Sequence, residues 1–102
     1  MKGVGNLQKM LKQAKEMQEK IKKELEEMRV EGTSGGEMVK VLLDGNKNMI
    51  SINIDPEVVN KEDVDMLQDL ISAAFNDATG QVDEKLKEKM GAMGAGLKIP
   101  GL

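Results

Sequence analysis

The first thirty residues carry the pattern of one long amphipathic helix, which constrains the fold more than any other part of the chain. Apolar residues recur there at three-four spacing along one side. Asn6 is suited to cap the start of this helix. After Ile21 the next heptad core position is Glu24, and a charged residue there interrupts the apolar seam that a coiled coil needs. The stripe therefore favours packing against a globular body over an extended coiled coil. The stripe consists of Leu7, Met10, Ala14, Met17, Ile21 and Met28, and it is widened by Leu11 and Leu25.

The opposite face of this helix is rich in lysine. Residues 1–23 carry seven lysines against two glutamates, a local charge of +5, whereas the whole chain carries −3. A basic face on an acidic protein indicates a surface for an anionic partner. The alternative is an ordinary solvated face, because pairs such as Lys12 and Glu16 stand four residues apart. A second, smaller basic group of Lys85, Lys87 and Lys89 closes the second helix described below, where the helix dipole attracts cations.

The composition limits the core that this chain can build. A domain of 102 residues buries a modest share of its surface, and Phe75 is its one aromatic residue, so Leu, Ile, Val and nine methionines must fill the core. So thin a core favours an obligate oligomer. The lack of cysteine excludes disulfides and sulfur-ligated metal sites and fits a reducing compartment. Without a long apolar run or a signal-peptide pattern, we expect a cytoplasmic protein with no membrane association.

Two strand patterns and a second helix follow the first helix. The glycine-rich segment Gly32–Gly36 marks a break after the first helix. The alternating apolar residues that follow predict an antiparallel hairpin with its turn at 44–48. Residues 29–34 are predicted as a third strand, since an isolated hairpin is marginal in water. Asn60 is predicted to cap the second helix. The apolar hairpin residues are Val39, Val41, Leu43, Ile50, Ile52 and Ile54, and the second helix carries Val64, Leu67, Ile71, Ala74, Phe75, Ala78, Val82 and Leu86.

This order predicts one α+β domain over residues 1–90, with a long N-terminal helix, a small antiparallel sheet of about three strands and a long C-terminal helix. The apolar hairpin residues are expected to pack against the stripes of both long helices. Gly80 is expected to loosen the second helix midway. Residues 91–102 contain four glycines and Pro100, a composition typical of a flexible tail.

The chain offers few groups for catalysis. It has no His, Cys or Tyr, so acid–base chemistry would rest on carboxylates and lysines alone. Asp63, Asp65, Asp69 and Asp77 fit a solvated helix face, and no metal-ligand spacing is present. Gly32–Gly36 lacks the Gly-Lys-Ser/Thr ending of a phosphate loop and runs into a strand, so it predicts a turn. We therefore expect no enzyme, no catalytic residue, no cofactor, no metal and no small-molecule substrate.

The composition also predicts how this chain would hold a nucleic acid. Single strands and many RNA sites are bound by stacking bases on aromatic side chains, and the lone Phe75 lies in a core stripe. Lysine suits phosphates, whereas bidentate base reading favours arginine, and Arg29 is the only one. If a nucleic acid is the partner, the expected mode is therefore duplex binding through phosphates, with weak sequence preference.

A set of short segments, in order along essentially the whole chain, carries a family resemblance. They are Gly5–Leu7, Gln13–Lys20, Glu31–Gly36, Met38–Val41, Ile54–Glu57, Glu62–Asp63, Met66–Ile71, Ala73–Ala78, Glu88–Met90 and Ile99–Leu102. Together they resemble the YbaB/EbfC family of bacterial nucleoid-associated proteins. The resemblance implies a tweezer-like homodimer of helix–sheet–helix subunits whose long helices project as paired arms. It also implies double-stranded DNA binding that alters DNA conformation, with roles in nucleoid organisation, gene regulation and DNA protection.

The resemblance also implies which residues contact DNA, because the family is associated with the projecting helices for this purpose. The implied DNA-binding residues are Lys9, Lys12, Lys15, Lys20, Lys22 and Lys23 on the first helix, and Lys85, Lys87 and Lys89 on the second. We therefore expect a nucleoid-associated homodimer. The main alternative is a protein-interaction adaptor, with little direct DNA binding, whose long helices dock replication or recombination proteins and whose lysines only solvate the surface.

Overall fold

The computed structural model describes residues 2–94, with side chains from 5 to 91, and has the predicted helix–sheet–helix order. The second helix reaches Gly94, and the remainder of the predicted tail, 95–102, lies outside the described residues. The α+β architecture is thereby confirmed. The elements are α1 (Lys2–Glu27), β1 (Val30–Ser34), β2 (Val39–Leu43), β3 (Met49–Ile54), a 3₁₀ turn (Pro56–Val58) and α2 (Val64–Gly94).

The three strands form one antiparallel sheet with β2 in the middle. Val41 lies opposite Gly32 on β1 and opposite Ile52 on β3, so these three positions share one face of the sheet. The register shifts between Leu42 and Leu43, where β3 begins, which is a β-bulge. The predicted hairpin, and the predicted third strand at 29–34, are therefore both present.

Helix α2 packs directly on the backbone of β1. A Cβ atom at Gly32 would lie 2.3 Å from the Ala74 carbonyl oxygen and 2.4 Å from the Ala78 nitrogen, so only glycine permits this approach. Both alanines are completely buried. The Ser34 hydroxyl donates to the Leu70 carbonyl oxygen and ties the end of β1 to the same helix. Small residues on both elements thus bring helix and strand unusually close.

The core between α2 and the sheet is made of small aliphatic side chains. Phe75, the one aromatic residue, is only half-buried at its margin. Burial of valine and alanine removes less apolar area from water than burial of larger side chains, so the hydrophobic stabilisation of this fold is modest. The buried residues are Val30, Val39, Val41, Leu43, Val58, Ala74, Ala78 and Val82.

Strand β3 contributes less to this core than the hairpin pattern predicts. Ile50 and Ile52 are 46% and 40% exposed, and Ile54 is half-buried. The reason is the path of α2, which crosses β1 and β2 and leaves the same face of β3 uncovered. The expectation that all six hairpin residues are buried against helices is therefore wrong for Ile50 and Ile52 within a single chain.

Helix α1 stands away from the body. Leu7 and Met10 are 57% and 64% exposed, and in the apolar stripe only Leu25, in the last turn of the helix, and Met28, just after it, are half-buried. The radius of gyration is 20.1 Å, compared with about 13 Å for a compact chain of this length. Within a single chain, most of the stripe therefore does not pack against the globular body, contrary to the expectation drawn from the heptad pattern. The short link before β1 turns the chain straight into the sheet and directs the helix outward.

The cap of α2 also differs from the prediction. The Asp63 carboxylate accepts a hydrogen bond from the Met66 N–H at 3.1 Å, so Asp63 caps the helix that begins at Val64. Asn60, the predicted cap, instead accepts from the Glu62 N–H at 2.9 Å within the preceding turn. Two consecutive Asx-type turns therefore lead into α2, and the second one determines where it starts.

Two other details of the helices depart from the sequence pattern. Helix α1 begins at Lys2 and not at Asn6, because no proline or strong turn signal interrupts the first residues. Helix α2 continues without a break through Gly80. One glycine costs a helix only about 1 kcal/mol relative to alanine, which the packing on both sides of it outweighs.

Candidate nucleic-acid interface

Helix α1 carries the larger of the two lysine groups predicted to contact DNA. Successive helical residues are about 100° apart, so these lysines cover an arc of about 160° opposite the apolar stripe. All six are exposed. Within residues 5–91, where side chains are described, none of them forms an ion pair. Their charge is therefore available to an anionic partner along the whole lysine face, which consists of Lys9, Lys12, Lys15, Lys20, Lys22 and Lys23.

The body holds α1 at its C-terminal end only. The Gly45 N–H donates to the Leu25 carbonyl oxygen at 2.8 Å, and a Cβ atom at position 45 would lie 2.9 Å from the Leu25 Cα. Arg29 Nη1 donates to the carbonyl oxygens of Glu26 and Met28, both at 2.8 Å. These bonds satisfy carbonyl groups that a helix end leaves unpaired. The helix is therefore fixed at its root and projects beyond it.

Asp44 organises the turn that makes this contact. Its carboxylate accepts hydrogen bonds from the Asn46 N–H at 2.8 Å, the Asn48 N–H at 2.9 Å and the Asn48 side-chain amide at 3.2 Å. The pKa of Asp44 is lowered, mainly by the hydrogen bond from the Asn48 backbone and to a smaller extent by the charge of Arg29. Desolvation of the carboxylate acts in the opposite direction. The charged carboxylate thus stabilises the turn against which α1 rests.

The smaller lysine group lies at the base of the arm formed by α1. Its three side chains are exposed. Lys89 Nζ lies 3.5 Å from Glu24 Oε2, which ties the last part of α2 to the last turn of α1. Nearby on α2, Asp83 Oδ1 lies 2.8 Å from Lys47 Nζ in the β2–β3 turn. Acidic neighbours therefore reduce the charge that Lys85, Lys87 and Lys89 can offer to a phosphate.

The four aspartates assigned to a solvated face fall into two kinds. Asp65 and Asp69 are exposed on α2, as expected. Asp63 caps the helix, and Asp77 Oδ2 accepts from the Thr33 N–H on β1 at 3.0 Å. Because Thr33 and Asp77 are 44 residues apart, the periodicity of α2 alone gives no sign of this bond.

Sequence reasoning also missed the joint at the root of α1. The Asp-Gly pair at Asp44 and Gly45 predicts a turn, but nothing in the local sequence shows that this turn contacts Leu25. Arg29, the one arginine of the chain, satisfies carbonyl groups at the end of α1, a role that its residue type alone does not indicate. Both contacts join segments that only the tertiary fold brings together.

Other kinds of site find little support in the described residues. Among the residues that the structure describes, no group of three or more His, Cys, Asp or Glu side chains could hold a metal ion. None of the described helices has the length and apolarity needed to cross a bilayer. An open depression of about 270 Å³ on α2 lacks the apolar walls typical of small-molecule sites. Its lining residues are Asn76, Asp77, Gly80, Gln81 and Glu84.

Known proteins resemble this chain over nearly its full length. The model of the YbaB/EbfC DNA-binding family matches residues 2–97. A nucleoid-associated protein of Caldanaerobacter subterraneus subsp. tengcongensis is 50% identical over 100 residues, covering 95% of this chain and 90% of that protein. A nucleoid-associated protein of Exiguobacterium sibiricum is 48% identical over 105 residues, covering 100% of this chain and 99% of that protein.

A solved structure shares the fold described above. The crystal structure of an uncharacterized protein from Helicobacter pylori superposes with a TM-score of 0.72 at 25% sequence identity. The match covers 85% of this chain and 91% of that chain. It therefore extends over most of the helix–sheet–helix fold. From the family match over residues 2–97 and the relatives at about half identity, the chain belongs to the YbaB/EbfC DNA-binding family.

Proposed function

We propose that this protein binds double-stranded DNA through the lysine face of α1 and is associated with the nucleoid. The observation that carries the proposal is the position of α1, which projects from an acidic body with six exposed lysines that form no ion pair among the described side chains. The names of the relatives, which are nucleoid-associated proteins, support the same function.

The dimensions of the arm suit the phosphate backbone of a duplex. Lys9 and Lys23 are separated by about 21 Å along the helix axis, which is about two-thirds of one turn of B-DNA. Residues 24–102 carry a net charge of −8, so the body repels DNA while the arm attracts it. Since lysines contact phosphates and not base edges, the binding has weak sequence preference.

The exposed apolar stripe supports a homodimer as the active form. Leu7, Met10 and Leu11 are all more than half exposed, and large apolar patches of this kind mark interaction surfaces. Two copies would present two lysine-bearing arms to one duplex. Because the arms are fixed at their roots, a duplex held by both would have to adapt its shape. Roles in nucleoid organisation, gene regulation and DNA protection follow from such a change in DNA conformation.

The salt dependence of duplex binding tests the phosphate mechanism. Fluorescence anisotropy of a labelled duplex is measured at several salt concentrations, and log Kd is plotted against log salt. Full engagement of six lysines on one arm corresponds to a slope of about 5. Tight binding with a nearly flat salt dependence, or no binding at low salt, would contradict the proposal.

The second candidate is the protein-interaction adaptor, which the exposed stripe of α1 also favours. Reversing the charge at Lys9, Lys12 and Lys15 separates the two functions, because these positions lie on the face opposite the stripe. The DNA-binding function predicts loss of duplex affinity, whereas the adaptor function predicts affinity equal to that of the unmodified protein. Circular dichroism verifies that the helix content is unchanged, so that a loss of binding cannot be ascribed to unfolding.

A further inference from the structure

Leu11 lies on the free part of the arm formed by α1, and its own chain does not cover it. The side chain is 62% exposed. Leu11 lies about 21 Å along the helix axis from Leu25, where the body holds the helix. The function proposed above uses the lysine face, so it leaves this large apolar side chain without a role.

Leu11 is also the residue of the apolar stripe that lies nearest to the lysine face. Helical geometry places Met10 and Met17 at the other margin of the stripe, about 100° and 120° around the axis from Leu11. Lys15, one turn further along the helix, lies only about 40° from Leu11 on the opposite side. A homodimer that buries the middle of the stripe would therefore leave this margin free.

The neighbours of Leu11 on the helix surface suit a nucleic acid better than a protein. Residues three and four positions away lie next to it, and these include Gln8 and Lys15, which are both exposed. Lysine is depleted in interfaces between proteins. Proteins that bind the minor groove of DNA, in contrast, combine Lys and Gln side chains with an apolar side chain, often leucine, that inserts between base pairs.

We propose that Leu11 inserts between neighbouring base pairs from the minor groove of a bound duplex and kinks the duplex at that step. This inference rests on the duplex binding proposed above and assigns the side chain that deforms the DNA. An undeformed minor groove about 6 Å wide does not admit a helix about 10 Å across, so insertion requires the groove to open. Contacts of Lys15 with phosphates hold the arm in place, and burial of Leu11 offsets part of the cost of unstacking.

Insertion of Leu11 makes the protein select deformable DNA without reading base edges. A leucine side chain has no hydrogen-bonding group with which to recognise a base. Pyrimidine–purine steps such as TA unstack easily, whereas A-tracts are stiff. We therefore expect severalfold tighter binding to a duplex with central TA steps than to an A-tract duplex of the same length.

Two neighbouring residues of nearly equal exposure provide a matched test. Leu11→Ala removes the inserting side chain, and Met10→Ala removes one that is 64% exposed at the other margin of the stripe. Energy transfer between dyes at the two duplex ends measures bending, and a fluorescent adenine analogue at a central TA step measures unstacking. We expect the unmodified protein and Met10→Ala to bend the duplex and to raise the fluorescence of the analogue, and Leu11→Ala to lose both effects.

Two further measurements separate insertion from phosphate binding. Leu11→Ala removes no charge, so its salt slope should equal that of the unmodified protein, while its preference for TA steps should be lost. Leu11→Met nearly conserves the side-chain volume and should retain both the bend and the preference. Because alanine and methionine favour helices, circular dichroism of all three variants should match that of the unmodified protein.

The outcomes distinguish insertion from the duplex binding on which it rests. If the unmodified protein does not bind a duplex at low salt, the proposed function is overturned and insertion with it. If it binds without bending the duplex, or if Leu11→Ala bends it equally, insertion is overturned and binding through phosphates stands. Equal losses for Leu11→Ala and Met10→Ala would also overturn insertion, as would a change in the sedimentation of Leu11→Ala without DNA, which would assign Leu11 to a contact between copies of the chain.

Discussion

Asp44 is the residue whose charge holds the β2–β3 turn together. Replacing it by asparagine keeps the shape of the side chain but removes the charge that attracts three N–H donors. We expect Asp44→Asn to lower the melting temperature at neutral pH. The pKa of Asp44 is lowered in the folded protein, so its stabilisation is complete above the unfolded pKa of about 3.9 and is lost as the pH falls through the folded value. The difference in melting temperature between the two proteins should therefore narrow on acidification below about pH 4, and a constant difference would contradict this role.

Two glycines make a matched pair of predictions about stability. Gly32→Ala forces a methyl group into the backbone of α2 at 2.3 Å, and we expect it to lower the free energy of unfolding by about 2–3 kcal/mol. Gly80→Ala meets no atom within 4 Å, and it should raise the free energy of unfolding by about 1 kcal/mol because alanine favours the helix. Urea denaturation of both variants measures the two values. Equal effects would mean that α2 does not lie as close to β1 as described.

At the scale of the elements, α1 and its lysines can be tested one charge at a time. Lys12 lies on the arm, and Lys61 is also exposed, in the loop before α2. Neutralising one phosphate contact reduces the salt slope by about 0.9. We expect this reduction for Lys12→Gln and none for Lys61→Gln, measured by anisotropy with the same duplex. Identical slopes for the two variants would place DNA somewhere other than the arm.

A substitution at Lys89 can distinguish the contributions of the two lysine groups to duplex binding. Because it already lies 3.5 Å from Glu24, a phosphate would have to compete with a carboxylate for it. We expect Lys89→Gln to weaken duplex binding less than Lys12→Gln does. An exposed ion pair contributes less than about 1 kcal/mol, so the variant should also unfold at nearly the same temperature. A loss of affinity as large as that of Lys12→Gln would assign Lys89 to the DNA-binding surface.

The elements also show what a sequence can and cannot predict. Alternation at Val39, Val41 and Leu43 is a local property, and it predicts both the strand and its buried face correctly. The same alternation on β3 predicts the strand but not the exposure of Ile52, because burial depends on where α2 crosses the sheet. The lysine face of α1 is visible in the sequence for the same local reason. Its projection from the body depends on the contact between Gly45 and Leu25, which no periodicity contains.

At the scale of the whole molecule, the small core predicts that stability depends on concentration. If two copies share an interface, mass action stabilises the folded dimer as the protein concentration rises. We expect the melting temperature to increase with concentration over the micromolar range, and the sedimenting species to have twice the chain mass of 11.2 kDa. A melting temperature independent of concentration, together with a monomer mass, would contradict the homodimer.

The contact between Gly45 and Leu25 fixes one end of α1, so a small change in the angle of the helix there becomes a large displacement at its free end. The helix is about 39 Å long and is fastened at one end, so a rotation of about 10° at the joint moves its tip by about 7 Å. That distance equals about two base-pair steps along a duplex. Because this joint holds the helix tightly, a substitution at Gly45 that tilted the helix by this amount would shift its outermost lysines by about two base pairs along a duplex.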